Sequence, residues 1–114
     1  MRILITGSRR DNDFNKVFRQ LVQYKHDCVT LIHGGAPGID EIADRIANMW
    51  DWDVEVYPAD WDSFGNAAGP MRNQQMVDSG ADICIAFPAP DSKGTWNCVN
   101  KARSAKIKTI VIGD

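Results

Sequence analysis

The chain has no long hydrophobic run, and none of its apolar segments approaches the roughly 20 residues needed to cross a bilayer. Its first residues, MRILITGS, lack the apolar core and the cleavage site of a signal peptide. They are typical of a strand that begins almost at residue 1. We therefore expect a cytoplasmic protein of bacterial or viral type that has no membrane partner.

An excess of positive charge is also absent. The formal net charge is −2 and the sequence pI is about 5.6. This balance argues against broad electrostatic binding of nucleic acid, which we consider an unlikely partner. A local basic cluster remains open, because Arg9, Arg10 and Arg72 all lie near glycine-rich turns.

Cysteine is scarce, and its three positions, Cys28, Cys84 and Cys98, are widely spaced. No pair matches a zinc knuckle or a CxxC redox motif. We expect all three to be reduced structural residues, since free cysteines are usually buried. The sequence also shows no cluster of metal ligands. We expect no cofactor and no metal site, apart from a Mg²⁺ ion that arrives with a phosphorylated ligand.

The 114 residues, 44% hydrophobic and 25% charged, fit one compact domain over residues 1–114. Apolar periodicity switches repeatedly between strand and helix patterns. The predicted strands are 2–6, 28–33, 54–57, 83–87 and 109–112. Four helices are predicted. The first begins after a cap at 11–13, the second spans 39–50, the third runs from Pro70 to about Ser79, and the fourth runs from about Thr95 to Ala105. Residues 58–69 show no periodicity and are predicted to form a loop.

Strands that alternate with helices predict parallel pairing through right-handed crossovers. The strands are nearly continuous in Val, Ile and Leu, which is typical of a sheet covered on both faces. The fold class is therefore α/β, a Rossmann-like doubly wound parallel sheet of five strands in the order 3-2-1-4-5. In such a sheet a ligand lies beyond the carboxyl ends of the strands, where the strand order reverses. Here that point lies between the first and fourth strands.

The segment LIHGGAPGID, residues 31–40, is the most informative motif. Gly34 and Gly35 allow backbone conformations closed to other residues and a close approach of another molecule. The helix that follows presents free N–H groups and the positive end of its dipole, which favour an anion such as phosphate. The segment is neither a GxGxxG fingerprint nor a GxxxxGK[ST] loop, which argues against ATP hydrolysis of the latter type.

Two polar residues flank this turn. Asp40 lies in the first turn of the helix, where it either binds a ligand hydroxyl or complements the helix dipole. His33 ends a buried strand, and a hydrogen-bonded structural role is favoured over a catalytic one.

Candidate anion contacts recur at the other turns. Gly7, Ser8 and Arg9 offer backbone N–H groups, a hydroxyl and a guanidinium. Arg72, with Asn73, follows Gly69-Pro70 near a helix start and is the strongest single candidate.

A further glycine turn opens the last helix. There, Gly94 and Thr95 form a possible second phosphate cradle. Trp61, in the loop, either stacks on a base or covers the core. Its neighbours Asp60 and Asp62 are candidate ribose or water contacts, or simply solvated loop carboxylates. Trp50 and Trp52 are predicted to pack, because Trp50 continues a helical apolar stripe.

Taken together, these segments resemble the YspA-type branch (domain of unknown function 2493) of the SLOG superfamily. The resemblance rests on GSRR, HGGAPGID, YPADW, AAGPMRNQQM and the GT pair, in this order and over almost the whole chain. It implies a Rossmann-like fold. It also implies kinship with the LOG enzymes, which cleave the N-glycosidic bond of nucleoside monophosphates, and with DNA-processing protein A. Other members are thought to bind nucleotides or NAD-derived ligands as sensors in conflict systems, including phage defence.

The resemblance can be carried over residue by residue. The LOG motif PGGxGTxxE corresponds to PDSKGTWNC, so Gly94 and Thr95 match the phosphate-binding part and Cys98 stands in place of the catalytic glutamate. The PRExxK-type motif corresponds to GPMRNQQM, which supplies Arg72 but has Asn73 where an acidic residue would stand. The phosphate-binding half of the pattern is therefore present and the acid/base half is not.

These observations favour a module that binds a nucleotide-like or NAD-derived small molecule as a sensor. The alternative is a hydrolase that cleaves an N-glycosidic or phosphate bond in a nucleotide, in which Asp40, Asp60 or Asp62 takes the carboxylate role. The frequency of assemblies across the superfamily leads us to expect a homo-oligomer.

Overall fold

A parallel sheet of five strands forms the centre of the computed structural model, which describes residues 1–113. The strands are β1 (Arg2–Gly7), β2 (Thr30–His33), β3 (Asp53–Val56), β4 (Ile83–Phe87) and β5 (Lys108–Val111). Their order is β3-β2-β1-β4-β5, which confirms the predicted Rossmann-like α/β topology. In the registers, Leu4 of β1 lies beside Ile32 of β2 and Cys84 of β4.

Within residues 1–113, five α-helices surround the sheet. They are α1 (Phe14–Leu21), α2 (Ile39–Met49), α3 (Trp61–Phe64), α4 (Ala68–Asp78) and α5 (Lys93–Ser104). Short 3-10 turns cover Val22–Tyr24 and Gly65–Ala67. The cap predicted at 11–13 is formed by Asp13, whose carboxylate accepts a hydrogen bond from the Lys16 N–H at 3.1 Å.

Each face of the sheet has its own apolar core. Side chains alternate along β1, so Ile3 and Ile5 face α1 and α2, whereas Leu4 packs with residues of α4 and α5. All five residues of β4 are buried, because this strand lies inside the sheet and is covered on both faces. Because helices cover both faces of the sheet, its polar groups lie mainly at the edge formed by the carboxyl ends of the strands.

Residues 58–69, predicted as a loop, contain α3, a 3-10 turn and the start of α4. The prediction was wrong because α3 has only four residues, too few to show a periodicity. Asp60 caps this turn by accepting a hydrogen bond from the Ser63 N–H at 3.1 Å. Helix α4 begins at Ala68 and not at Pro70. Pro70 still lies in the first turn, where a backbone N–H has no acceptor within the helix, so a proline removes no helical hydrogen bond.

Other element ends differ by one or two residues from the predictions. β2 begins at Thr30 and not at Cys28, and α5 begins at Lys93 and not at Thr95. Cys84 and Cys98 are buried and free, as predicted, but Cys28 is exposed, because it precedes the strand. The prediction that Trp50 and Trp52 pack is confirmed. Their rings meet edge to face, with centroids 5.2 Å apart, at the core around α2.

Candidate functional site

A cavity of about 640 Å³ opens beside the carboxyl ends of β1 and β4. Its volume falls within the range of about 300–1,000 Å³ that is common for small-molecule sites. Four segments contribute its walls: the turn after β1, the start of α2, the α3–α4 region, and the start of α5. The cavity therefore lies where the strand order reverses, which is the position expected for a ligand in this topology.

Nine of the predicted ligand-contacting residues line this cavity. They are Gly7, Ser8, Arg9, Asp40, Trp61, Arg72, Asn73, Gly94 and Thr95. Gly34 and Gly35 are outside the lining, as are two of the candidate catalytic carboxylates, Asp60 and Asp62.

The turn after β1 rests on the beginning of α2. The Ser8 carbonyl accepts a hydrogen bond from the Ile39 N–H at 3.3 Å. Gly38, which precedes the helix, has φ +78°, and a Cβ on it would lie 2.7 Å from the Arg9 carbonyl carbon. Only glycine fits this position, both for its backbone conformation and for the closeness of the neighbouring chain. This contact brings Arg9 to the cavity wall.

Ser8 is almost fully buried, and its hydroxyl oxygen accepts a hydrogen bond from the Arg10 N–H at 3.2 Å. Its own backbone N–H donates to the Phe87 carbonyl at 3.0 Å. The hydroxyl proton of Ser8 therefore has no acceptor within residues 1–113 and can be donated to a ligand.

The glycine turn after β2 serves internal contacts. The Gly34 N–H donates to Oδ2 of Asp40 at 3.1 Å, and the Gly35 N–H donates to Nδ1 of His33 at 2.9 Å. The Gly34 carbonyl accepts a hydrogen bond from Nη1 of Arg72 at 2.7 Å. Direct ligand contact by Gly34 and Gly35 stays a prediction, but this turn positions Arg72 and Asp40, which both line the cavity.

His33 is held on both sides of its ring. Because Nδ1 accepts from Gly35, the ring hydrogen is on Nε2, which lies 2.8 Å from Oδ1 of Asp44 and donates to it. His33 is 3% exposed and is absent from the cavity lining. The arrangement agrees with the structural role favoured for this histidine.

Arg72 and Asn73 connect α4 to two other parts of the wall. Nε of Arg72 donates to Oδ1 of Asn73 at 3.1 Å, in addition to the bond from Nη1 to Gly34. Nδ2 of the buried Asn73 donates to the Gly94 carbonyl and to Oδ1 of Asn97, both at 3.1 Å. Nη2 of Arg72 has no hydrogen-bond partner in the described part of the chain. Two of the three guanidinium nitrogens are therefore held by protein, and the third is available to an anion.

The first turn of α5 also presents unused donors. Ser92 precedes the helix, but its hydroxyl oxygen accepts from the Ala89 N–H at 2.8 Å and does not cap the helix. The backbone N–H groups of Gly94 and Thr95 have no acceptor among residues 1–113. Unpaired first-turn N–H groups and the helix dipole together favour an anion at this wall.

Trp61 lies at the rim of the cavity and is 46% exposed. Its indole ring faces Gly69, where a Cβ would lie 3.1 Å from Cη2 of the ring. The ring is therefore supported on one side by α4, and much of its remaining surface is exposed. This geometry suits stacking better than covering the core.

Asp40 is the most unusual group in the site. The residue is 6% exposed, and its Oδ2 accepts hydrogen bonds from the N–H groups of Gly34 and Ala36 at 3.1 and 3.3 Å. Its Oδ1 is buried and has no partner in the described residues. Burial raises the pKa of Asp40 above its ordinary value, opposed by the charge of Arg72 and by the two backbone hydrogen bonds.

Cys98, which stands in the position of the LOG glutamate, is completely buried and is not part of the lining. Interactions with the Cys84 thiol and Thr6 lower the pKa of the Cys98 thiol, opposed by its burial. The bond to Cys98 and burial raise the pKa of the Cys84 thiol. Cys98 therefore acts as a packing residue behind the cavity floor, and it does not replace the glutamate as an acid or base.

Several lining residues were not predicted. Among them are Thr6, Met76 and Asn97, which lie inside regular elements and not in the turns. Thr6 carried a detectable signal, because it is a polar residue in an otherwise apolar strand. Asn97 follows Thr95 by two positions, but only its contact with Asn73 connects it to the site.

Residues 1–113 contain no group of three or more His, Cys, Asp or Glu side chains arranged to hold a metal ion. No helix in this range has the length and apolar character to span a membrane.

Comparison with known proteins gives a family and one close relative in a phage. The profile of the YspA, cpYpsA-related SLOG family matches residues 1–64, which include β1, β2 and the glycine turn between β2 and α2. The Gene 61 protein of Mycobacterium phage D29 is 41% identical over 125 aligned residues, covering 99% of this chain and 97% of that protein. No solved structure matches significantly. The chain belongs to the YspA, cpYpsA-related SLOG family.

Proposed function

We propose that this protein binds a nucleotide or a nucleotide-derived anion, including NAD-derived molecules, in the cavity beside β1 and β4. In this proposal it acts as a sensor or ligand-binding module. Membership of a SLOG family supports a nucleotide-related role in general. The observation that carries the proposal is that unused hydrogen-bond donors from three separate segments converge on one cavity.

The donors are suited to a phosphate group. Arg9 and Nη2 of Arg72 supply positive charge, and the N–H groups of Gly94 and Thr95 supply backbone donors at the start of α5. A phosphate offers several acceptor oxygens, which bind such donors in charge-assisted hydrogen bonds. The exposed face of Trp61 at the rim would then contact the base.

Isothermal titration calorimetry with AMP, ADP-ribose and inorganic phosphate tests this proposal. We expect binding of at least one nucleotide, and we expect Arg72→Ala to weaken it by at least about 10-fold through loss of a charged hydrogen bond. Arg19→Ala is the matched control, because Arg19 is an exposed arginine in the last turn of α1, outside the lining. Equal affinity of the wild type and Arg72→Ala would place the ligand elsewhere, and no binding of any nucleotide would overturn the proposal.

A second candidate function is hydrolysis of an N-glycosidic or phosphate bond, and one observation favours it. Of the three candidate carboxylates, Asp40 alone lines the cavity, and its raised pKa is a property of many general acids. Incubation with the same nucleotides, followed by chromatography, tests for a free base or phosphate. Release that is lost in Asp40→Asn would support an enzyme, whereas intact nucleotide in a binding-competent protein would exclude this candidate.

Native mass spectrometry of the purified protein would address the expected homo-oligomer. It would also identify any nucleotide that remains bound during purification. A monomer would contradict the expectation of an assembly without affecting the proposed site.

A further inference from the structure

The carboxyl group of Asp40 is incompletely satisfied by the protein. Oδ2 accepts two backbone hydrogen bonds, whereas Oδ1 is buried and has no partner in residues 1–113. An unpaired buried acceptor costs about 1–3 kcal/mol, and more when it is charged. Such a group is costly to retain unless it has a partner in the functional state.

The guanidinium of Arg72 does not provide that partner. Its charge opposes the rise in the pKa of Asp40, but its Nη1 donates to the Gly34 carbonyl and its Nε to Asn73. The glycine at position 34 makes this possible, since a Cβ there would overlap the guanidinium. Arg72 is therefore bonded to other acceptors, and Oδ1 of Asp40 stays unpaired.

The two ordinary roles of Asp40 do not need its second oxygen. Complementing the dipole of α2 requires no burial, and the adjacent, exposed Glu41 already provides a negative charge in the first turn. Closing the turn from Gly34 to Ala36 requires a single acceptor oxygen, which Oδ2 supplies. An asparagine would fulfil this second role without a buried charge.

Four cationic side chains line the cavity against two carboxylates, the buried Asp40 and the exposed Asp91. Arg9, Arg10, Arg72 and Lys93 line it, so the anionic part of a ligand is expected beside them. An anionic group would be repelled from Asp40. The part of the ligand that faces Asp40 must therefore carry a hydrogen-bond donor, and a hydroxyl can donate to the unpaired Oδ1.

We infer that Oδ1 of Asp40 accepts a hydrogen bond from a sugar hydroxyl of the bound nucleotide, and so selects ribonucleotides over deoxyribonucleotides. This inference depends on the proposed function, because it assigns the sugar of that ligand to the floor of the same cavity. A site that leaves a buried acceptor unpaired when the hydroxyl is missing discriminates strongly against the analogue.

The test compares AMP with its 2′-deoxy and 3′-deoxy analogues by calorimetry on the wild-type protein. At least one deoxy analogue should bind about 10-fold or more weakly. The corresponding fluoro analogue keeps an acceptor but has no O–H donor, and it should bind as weakly as the deoxy analogue. Equal affinity for AMP and both deoxy analogues would overturn the inference and leave the proposed function intact.

Asp40→Asn provides a matched variant. Its side-chain oxygen can accept from Gly34 and Ala36 as before, while the NH₂ group replaces Oδ1 and presents a donor instead of an acceptor. Because the NH₂ group donates and both a hydroxyl oxygen and a fluorine can accept, we expect this variant to lose most of the discrimination between AMP and the fluoro analogue. Rejection of the fluoro analogue as strong as in the wild type, or tighter AMP binding, would show that Asp40 does not accept from the sugar. If no nucleotide binds to the wild type, the proposed function fails and this inference fails with it.

Discussion

Gly34→Ala should weaken ligand binding at the candidate site, although Gly34 does not itself line the cavity. The added Cβ would lie 2.7 Å from Cζ of Arg72 and would overlap its Nη1. Gly34 is not among the glycines with positive φ, so an alanine meets no backbone strain there and only the arginine must move. The hydrogen bond from Nη1 of Arg72 to the Gly34 carbonyl, now 2.7 Å, would be lost.

Two effects of different size follow from this displacement. Overpacking should reduce the free energy of unfolding by about 1–3 kcal/mol, which corresponds to about 4 °C in Tm for each kcal/mol in a domain of this size. A displaced guanidinium should also lose its charged hydrogen bond to the ligand. At about 1.5–3 kcal/mol, this loss weakens nucleotide binding by about 10- to 150-fold.

Urea denaturation and calorimetry with AMP measure the two effects separately. Gly113→Ala is the control, because a Cβ at that position meets no atom within 4 Å. A double-mutant cycle with Arg72→Ala gives the decisive comparison, since two changes that act through the same guanidinium are not additive. Full additivity, or wild-type affinity in Gly34→Ala, would refute the role of this turn in positioning Arg72.

Three further predictions follow from individual contacts. Asp40→Asn should be more stable than the wild type, and the difference in stability should grow as the pH rises above 3.8. The reason is that burial raises the pKa of Asp40, so its charged form costs stability in the folded protein. Urea midpoints of the two proteins that converge with rising pH would contradict this. The hydrogen bond from Arg2 lowers the pKa of Glu55 from 4.5 to about 2, so the contribution of Glu55 is present above pH 4.5 and is lost as the pH falls toward 2. Glu55→Gln should therefore cost less than about 1 kcal/mol at pH 7, because the pair is partly exposed, and its difference from the wild type in urea denaturation should disappear in acid; a constant difference would exclude the ion pair as its cause. In calorimetry, Trp61→Ala should weaken AMP binding by about 10-fold through loss of base stacking but leave the affinity for ribose 5-phosphate unchanged. Phe64 is an exposed aromatic residue on the same short helix and lies outside the cavity lining, so Phe64→Ala should change neither affinity.

The strand order could be predicted because the interior strands carry an unambiguous pattern. β4 is apolar at all five positions, as a strand covered on both faces must be. The ends of elements were less accessible to prediction. β2 and β3 have four residues each, and a strand this short leaves its first residue undetermined by alternation alone.

The turn at Gly34 and Gly35 illustrates the limit of local sequence for the candidate site. Adjacent glycines indicate that something approaches the backbone closely, but they do not distinguish a ligand from a side chain of the same protein. At Gly34 the close neighbour is Arg72, which is 38 positions away in the sequence. That pairing depends on the packing of α4 and could not be read from either motif alone.

The unpaired oxygen of Asp40 was equally inaccessible. The sequence placed this aspartate in the first turn of α2 and left two roles open. The choice between them depends on the directions of two backbone N–H groups and one guanidinium. Such directions are properties of the folded chain.

The most direct test of the proposed anion site is a titration of ¹⁵N-labelled protein with AMP, followed by two-dimensional NMR. We expect the backbone N–H resonances of Gly94 and Thr95, which lack acceptors in the described chain, to shift strongly as the phosphate binds. The resonances of Gly34 and Gly35, whose N–H groups already donate to Asp40 and His33, should shift much less. Large shifts at Gly34 and Gly35 with none at Gly94 and Thr95 would contradict the assignment of the phosphate to the start of α5, and unchanged spectra would contradict nucleotide binding itself.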